Sequence, residues 1–223
     1  MTLSANPELI AKKMVSIDRP EDAVAAFYAW FHSKSRLYAR QEGEETALFI
    51  DAKSRLGPVG ILRATAPHLV APLLSSLPAG GRYVMTTWSL ATALGEAANI
   101  TETQQNRIFT LEPERLRRFV QKDTHIHHSK EKVTAVVDGK NVSECILLWR
   151  SPHFAEIGIA TEPPFRGRGL GHTLVAEMAA GLIEQGVAPL CVVSADNAGS
   201  IRVAEKAGFT PCGEDEFAGL MTL

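Results

Sequence analysis

At 223 residues and 45% apolar content, the chain is long enough for one large or two small domains with a real core. A net charge of −2 excludes a basic nucleic-acid face and a polybasic membrane patch. Cys145, Cys191 and Cys212 have no ligand spacing, no apolar run reaches the roughly 18 residues of a membrane span, and MTLSANPELIAKK lacks the pattern of a leader, so a reduced, cytoplasmic protein is expected.

In chain order, Asn6 is placed to cap a first helix with Pro7 at its first position. A second helix is expected from Asp18 and Pro20 to Gly43, with its apolar stripe at Val24, Phe27, Tyr28, Phe31 and Tyr38. The cluster Phe27, Tyr28, Trp30 and Phe31 has helical spacing and reads as core packing rather than the lining of a pocket. TALFIDA and VGILRAT are strands joined by SRLGP, and PHLVAPLLSSLP is a helix interrupted at Pro72. RYVMTTW is a strand, and Ser89 is expected to cap a helix running through Glu96.

The polar stretch NITETQQ, Asn99 to Gln105, suggests a boundary between units at 1–103 and 104–223. Beyond it come a strand at 107–111, a helix at 113–120 started by Pro113, and the polar connection QKDTHIHHSKEK. His125 and His127 would share one face of a strand, but zinc needs three or four ligands and no nearby Cys or acidic pair completes the set. A solvated loop without metal is the expectation there. KVTAVVD and NVSECILLWRS form a hairpin through Asp138-Gly139.

The chemistry concentrates in FAEIGIATEPPFRGRGLG, Phe154 to Gly171. Ile157 and Ile159 alternate with Gly158 and Ala160 as in a strand, which Pro163 and Pro164 end because neither can donate to a ladder. Arg166, Gly167, Arg168, Gly169 and Gly171 then lead into the amphipathic LVAEMAAGLIEQG. The first turn of a helix has N–H groups without intrahelical partners, and its dipole favours an anion. Glycines let a phosphate approach the backbone, while arginines add charge and bidentate donors. The stretch therefore reads as a pyrophosphate cradle.

Its spacing, R-x-x-G-x-G from Arg166 to Gly171, is neither GxGxxG nor the P-loop pattern. Downstream, LCVVSADNAGSIRVAEKAGF supplies a strand at Leu190 to Ser194, then Asn197, a short helix, Gly208 and Phe209. This order, from about Ala155 to Phe209, resembles the GCN5-related N-acetyltransferase (GNAT) superfamily. The resemblance implies an α/β (α+β) fold with a mixed, mostly antiparallel sheet flanked by helices. The N-terminal α/β unit would then be a wall of the acceptor site or a degenerate copy of the same fold, although it contains no R-x-x-G-x-G.

The resemblance also implies acetyl-CoA as cofactor. Main-chain groups of Ile159, Ala160 and Thr161 would pair with the pantetheine arm. Backbone N–H groups of Arg168, Gly169, Leu170 and Gly171, with the Arg166 side chain, would hold the pyrophosphate, and Gly167, His172 and Thr173 complete the cradle. Asn197 would bond near the pantetheine or cap its helix, with Ser200 and Lys206 close by. A lysine-like amine with pKa about 10.4 is almost fully protonated at pH 7, so acyl transfer to it calls for a base. Glu156, in FAEI, resembles the strand glutamate that plays this part; His153, His172 or a group in the N-terminal unit are the alternatives. A carboxyl with pKa about 4.3 is a weak base unless partial burial raises it.

The chain departs from the family where a tyrosine often stands seven residues after the asparagine, since that position is Ala204 and the tyrosines are Tyr28, Tyr38 and Tyr83. The expected activity is acetyl-CoA-dependent N-acetylation of a small-molecule or protein amine, with no nucleic-acid or membrane partner and with a homodimer left open. A non-catalytic acyl-CoA sensor is the alternative, and an O-acyltransferase a weaker third.

Overall fold

The computed structural model describes residues 6–55, 57–119 and 124–223. In chain order the elements are α1 (Pro7–Met14), α2 (Ala23–Ala26, continued by a π-helical turn at Phe27–Phe31), β1 (Arg36–Glu42), β2 (Glu45–Ser54), β3 (Gly57–Ala64), α3 (Val70–Leu74), β4 (Gly81–Thr87), α4 (Ala91–Ala97) and β5 (Asn99–Thr110). There follow β6 (His125–His128), β7 (Lys132–Val137), β8 (Lys140–Arg150), β9 (Phe154–Thr161), α5 (Leu170–Ile183), β10 (Ala188–Ser194), α6 (Ala198–Ala207), β11 (Thr210–Pro211) and β12 (Glu216–Thr222). They fall into two compact units, Met1–Asn106 with Glu214–Leu223, and Arg107–Gly213. The sequence division at 103 set the last residues with the second unit; β12 instead lies in the first, antiparallel to both β4 and β5.

In the first unit, Asn6 caps α1 as expected, its Oδ1 accepting from the N–H groups of Glu8 and Leu9 at 3.0 and 3.3 Å. The long helix to Gly43 is not formed. Helix ends at Phe31, and Arg36–Glu42 is β1, paired antiparallel with β2 through a two-residue turn in which Gly43 has φ +61°. The ladder to β2 satisfies the backbone of this segment, and Tyr38 packs on the core from it. Pro72 sits in the first turn of α3, where its missing N–H costs nothing, so it does not interrupt the helix. Ser89 caps nothing; its N–H donates to Glu214 Oε1 at 2.6 Å. NITETQQ is strand rather than connection, forming most of the β5 partner of β12. Its polar composition reflects exposure, not irregularity. Leu56, in the expected SRLGP connection, lies outside the described residues. Phe49, Leu62, Leu69, Leu73, Leu74 and Leu94 build this core, each side chain contributing about 1.5–3 kcal/mol by its burial.

In the second unit, β6, β7, β8 and β9 form an antiparallel series and β10 joins β9 in parallel. The β7–β8 hairpin turns at Asp138 (φ +49°) and Gly139 (φ +76°), the two left-handed positions a tight hairpin requires. The sheet of each unit is mixed and mostly antiparallel, flanked by helices, as expected. α5 is apolar on nearly every side and is buried, with Leu174, Val175, Ala176 and Ala179 against Phe109 and Phe209. The expected helix at 113–120 is only a 3₁₀ turn at Pro113–Arg115. The chain there runs past the end of α6 instead, with Arg117 N donating to Ala207 O at 3.1 Å. A Cβ on Gly208, whose φ is +105°, would lie 2.0 Å from Arg115 O. Val120, Gln121, Lys122 and Asp123 lie outside the described residues. His125 to His128 form a strand on β7 rather than a loop, with the histidines exposed. Among the described residues no helix is long and apolar enough to cross a membrane, and no cluster of three or more His, Cys, Asp or Glu could hold a metal.

Candidate active site

The parallel pairing of β9 with β10 lasts for three residue pairs and ends at Leu190↔Glu156. Both strands continue, to Thr161 and Ser194, without that partner, so a wedge opens between them. A cavity of about 590 Å³ opens over the far end of β9, the turn after it, the first turn of α5 and one face of α6.

The turn is shaped by its glycines. Gly167 has φ +76° and Gly169 φ +87°, both in the left-handed region that an L side chain adopts only with strain. Gly169 is the N-cap of α5 and brings no capping side chain. The N–H groups of Leu170, Gly171 and His172 therefore have no partner within the helix. Gly171 has another reason to be glycine: an added Cβ would lie 3.2 Å from Val203 Cγ2, so it sets the spacing of α5 and α6. That spacing role is in addition to the place expected for it in the cradle, which it also lines.

Of the residues expected in the cradle, Ile159, Ala160, Thr161, Arg166, Gly167, Gly169, Leu170, Gly171, His172, Asn197 and Ser200 line the cavity, and Lys206 joins them. Arg168 and Thr173 do not. Arg168 lies over the Phe165 ring, 4.9 Å from its centroid. Thr173 is buried and its hydroxyl donates to Gly169 O at 3.0 Å, bracing the helix start. Arg166 Nε donates to Thr161 O at 3.0 Å, tying the turn to the end of β9. Asn197 Oδ1 accepts from Ser200 N at 3.0 Å, so it caps α6 while lining the cavity. Burial and then Lys206 push the His172 imidazole below its ordinary pKa, favouring its neutral form. Phe165, Gly199, Arg202 and Val203 also line the cavity and went unnamed in the sequence reading. The signal was present in the helical spacing of 199, 202, 203 and 206, which sets them on one face of α6.

Glu156 is outside that lining and stands at the fork, in the last pair before the strands part. Its neighbours Ala155 and Ile157 are buried in the core under α5, so its own side chain lies on the opposite face of the sheet. It is half-buried, and its Oε2 accepts from Trp149 Nε1 at 2.5 Å. Cys191, next to Leu190 on β10, is buried and its thiol is pushed well above the ordinary value by desolvation. Burial likewise pushes the Cys145 thiol up to about 12, so both are inert core residues. Ala204, at the position where a tyrosine was sought, is buried in the core.

Residues 138–218 match the family model described as FR47-like protein. No curated protein matches the chain in sequence. Among solved structures, the chain is similar to an acetyltransferase of the GNAT family from Colwellia psychrerythraea, at 12% identity over 100% of this chain and 99% of that one, with a TM-score of 0.57. A GCN5-related N-acetyltransferase from Kribbella flavida aligns at 15% identity over 85% and 90%, with a TM-score of 0.58. A tandem GNAT protein from the clavulanic acid biosynthesis pathway aligns at 13% identity over 97% and 92%, with a TM-score of 0.54. At these identities the likeness is one of fold.

Proposed function

The chain carries an FR47-like domain within the fold of the GCN5-related N-acetyltransferases, and on that premise we propose that it is an acetyl-CoA-dependent N-acetyltransferase acting on an amine of a small molecule or a protein. The observation that carries this reading is the wedge. It combines strands that part after Glu156, a first helical turn with three open N–H groups, and a cavity walled by Arg166, Arg202 and Lys206.

Those features fit a long thioester cofactor with a doubly charged linker. The main chain of Ile159, Ala160 and Thr161, no longer paired with β10, would receive the amide-bearing arm as an added strand. The N–H groups of Leu170, Gly171 and His172 would hold the pyrophosphate, where the helix dipole adds about half a positive charge. Arg166, Arg202 and Lys206 add cationic charge at the rim, and His172 in its neutral form does not compete with them. When bound, acetyl-CoA supplies an activated acyl carbon. The carboxylate of Glu156 would take the proton that an attacking amine must lose on acylation. No tyrosine stands in the second unit to protonate a departing sulfur, and a thiol with pKa about 8.5 would leave tolerably as thiolate.

A panel of amines with acetyl-CoA, followed by release of free thiol, tests the reading. Amine-dependent release is expected, and Glu156→Gln should lower turnover by about 10²–10⁴-fold with CoA affinity unchanged. CoA binding without release for any amine would favour the non-catalytic sensor. Glu156→Gln within about threefold of wild type at pH 7 would remove Glu156 from the mechanism.

A further inference from the structure

We infer that Trp149 is a positioning residue for Glu156, an inference that rests on Glu156 being the base. The β8–β9 ladder keeps one register from Ser143↔Thr161 to Leu147↔Ile157. It then shifts by one residue, so that Trp149 pairs with Glu156 and Arg150 with Ala155, leaving Leu148 as the extra residue of a bulge. Had the first register continued, Leu148 would stand opposite Glu156 and the indole opposite Ala155, a fully buried core position. Directly opposed residues of an antiparallel pair share a face, so the single extra residue moves the indole from the core face to the face of the carboxylate.

The bulge is accommodated at a cost. Leu148 is left 44% exposed, and its side chain folds back over Gly158, where an added Cβ would meet the Leu148 side-chain carbons at 3.4 Å. The register brings Trp149 Nε1 to Glu156 Oε2 at 2.5 Å. An indole N–H donates and never accepts, so it cannot take the proton that Glu156 must receive. A donor on an ionised acceptor makes a short, strong bond. It fixes Oε2, stops rotation about the last side-chain torsion and thereby defines where the second oxygen stands. A proton acceptor misplaced by about 1 Å can lose about 10²-fold in rate, which makes such fixing worth a bulge.

The test uses the full chain and the amine that releases most thiol in the panel. Trp149→Phe keeps a ring and removes the donor. It should lower kcat about 10- to 100-fold with KM for acetyl-CoA unchanged, and cost less than about threefold when added to Glu156→Gln, since groups acting as a unit are not additive. The chain has three tryptophans, Trp30, Trp88 and Trp149, so three indole ¹H–¹⁵N cross-peaks are expected. The one missing from Trp149→Phe should move in Glu156→Gln while the others hold still. If Trp149→Phe melts early, β-(3-benzothienyl)alanine at position 149 keeps the bicyclic shape and removes the N–H alone. An equal loss in both backgrounds, no loss beside an impaired Glu156→Gln, or an indole signal indifferent to Glu156→Gln would each overturn the positioning role. A nearly fully active Glu156→Gln overturns the base itself and the positioning role with it, so the two failures are told apart.

Discussion

Each unit contains two parallel strands joined over three residue pairs, and the two forks are used differently. In the first unit β3 and β4 pair from Val59↔Tyr83 to Ile61↔Met85, and just past that point Thr86 Oγ1 donates to Leu62 O at 3.0 Å, in the core. A side chain of one strand thus occupies a carbonyl of the other. The chain then turns through Pro67, which has no N–H to offer, into a helix of five residues. In the second unit β9 and β10 part after Glu156, the turn holds two left-handed glycines, and a helix of 14 residues begins without a side-chain cap. The same strand plan gives a packed joint in one case and a walled cavity in the other. What separates them is local: left-handed glycines at 167 and 169 in one turn, against Pro67 and the Thr86–Leu62 bond that closes the other fork. Fold alone therefore does not carry the site.

The largest effect that would break this contrast is on cofactor affinity. Gly169→Asp puts a carboxylate at the open turn and should weaken CoA binding by at least about 100-fold, since like charges in a partly desolvated site repel by several kcal/mol at most. His68→Asp places the same charge in the corresponding turn of the first unit and should leave CoA affinity unchanged. Titration calorimetry should also give one acetyl-CoA per chain. Two sites, or equal losses in the two variants, would mean that the first fork is also a cofactor site.

Next in size is stability. Gly208→Ala sets a Cβ 2.0 Å from a backbone oxygen at φ +105°, and should cost about 3 kcal/mol or more, because neither backbone nor dihedral can yield cheaply. Gly60→Ala meets the end of the Phe49 ring at 2.2 Å, a side chain that can shift, and should cost about 1–3 kcal/mol. Since the damage is confined to different units, saturating acetyl-CoA should restore less of the melting temperature of Gly60→Ala than its stabilisation of the wild type would suggest. Equal rescue of both variants would show that the units unfold as one.

The parts of this architecture that could be read from the chain are those specified by neighbours in sequence. The Asp138-Gly139 hairpin, the Asn197 cap, the Gly208 stop and the glycine turn before α5 each depend on a few adjacent residues. Arg36–Glu42 was misread because its apolar residues suit a helix as well as a strand, and only its pairing with β2 decides. Asn99 to Gln105 was misread because an exposed strand needs no apolar face. The placing of β12 between β4 and β5 joins residues more than a hundred positions apart, which no local pattern reports. At the site, the residue types were legible while their duties were less so. Gly171 spaces two helices, Thr173 braces a helix start, and the partner of Glu156 depends on a one-residue bulge with no composition signal.

The smallest expected effect concerns the polar groups that the first unit spends on structure. Glu216, at the start of β12, is buried, and its Oε1 accepts from Asn106 Nδ2 at 3.0 Å. Desolvation raises its pKa, opposed by that bond and by the charge of Arg63. A carboxyl whose folded pKa lies above its unfolded value contributes stability that is complete below the unfolded value and is lost as pH rises through the folded one. The first unit should therefore lose stability on going from acid to neutral pH by this group alone. Glu216→Gln removes the titration and keeps the shape. Its melting temperature should match the wild type near pH 4 and exceed it at higher pH, by a margin that grows until pH passes the folded value, with CoA affinity the same throughout. Hydrogen exchange should locate the gain in β4, β5 and β12 and leave α5 unaffected. A margin that shrinks with rising pH would mean that Arg63 and Asn106 hold Glu216 as a carboxylate more strongly than burial opposes it.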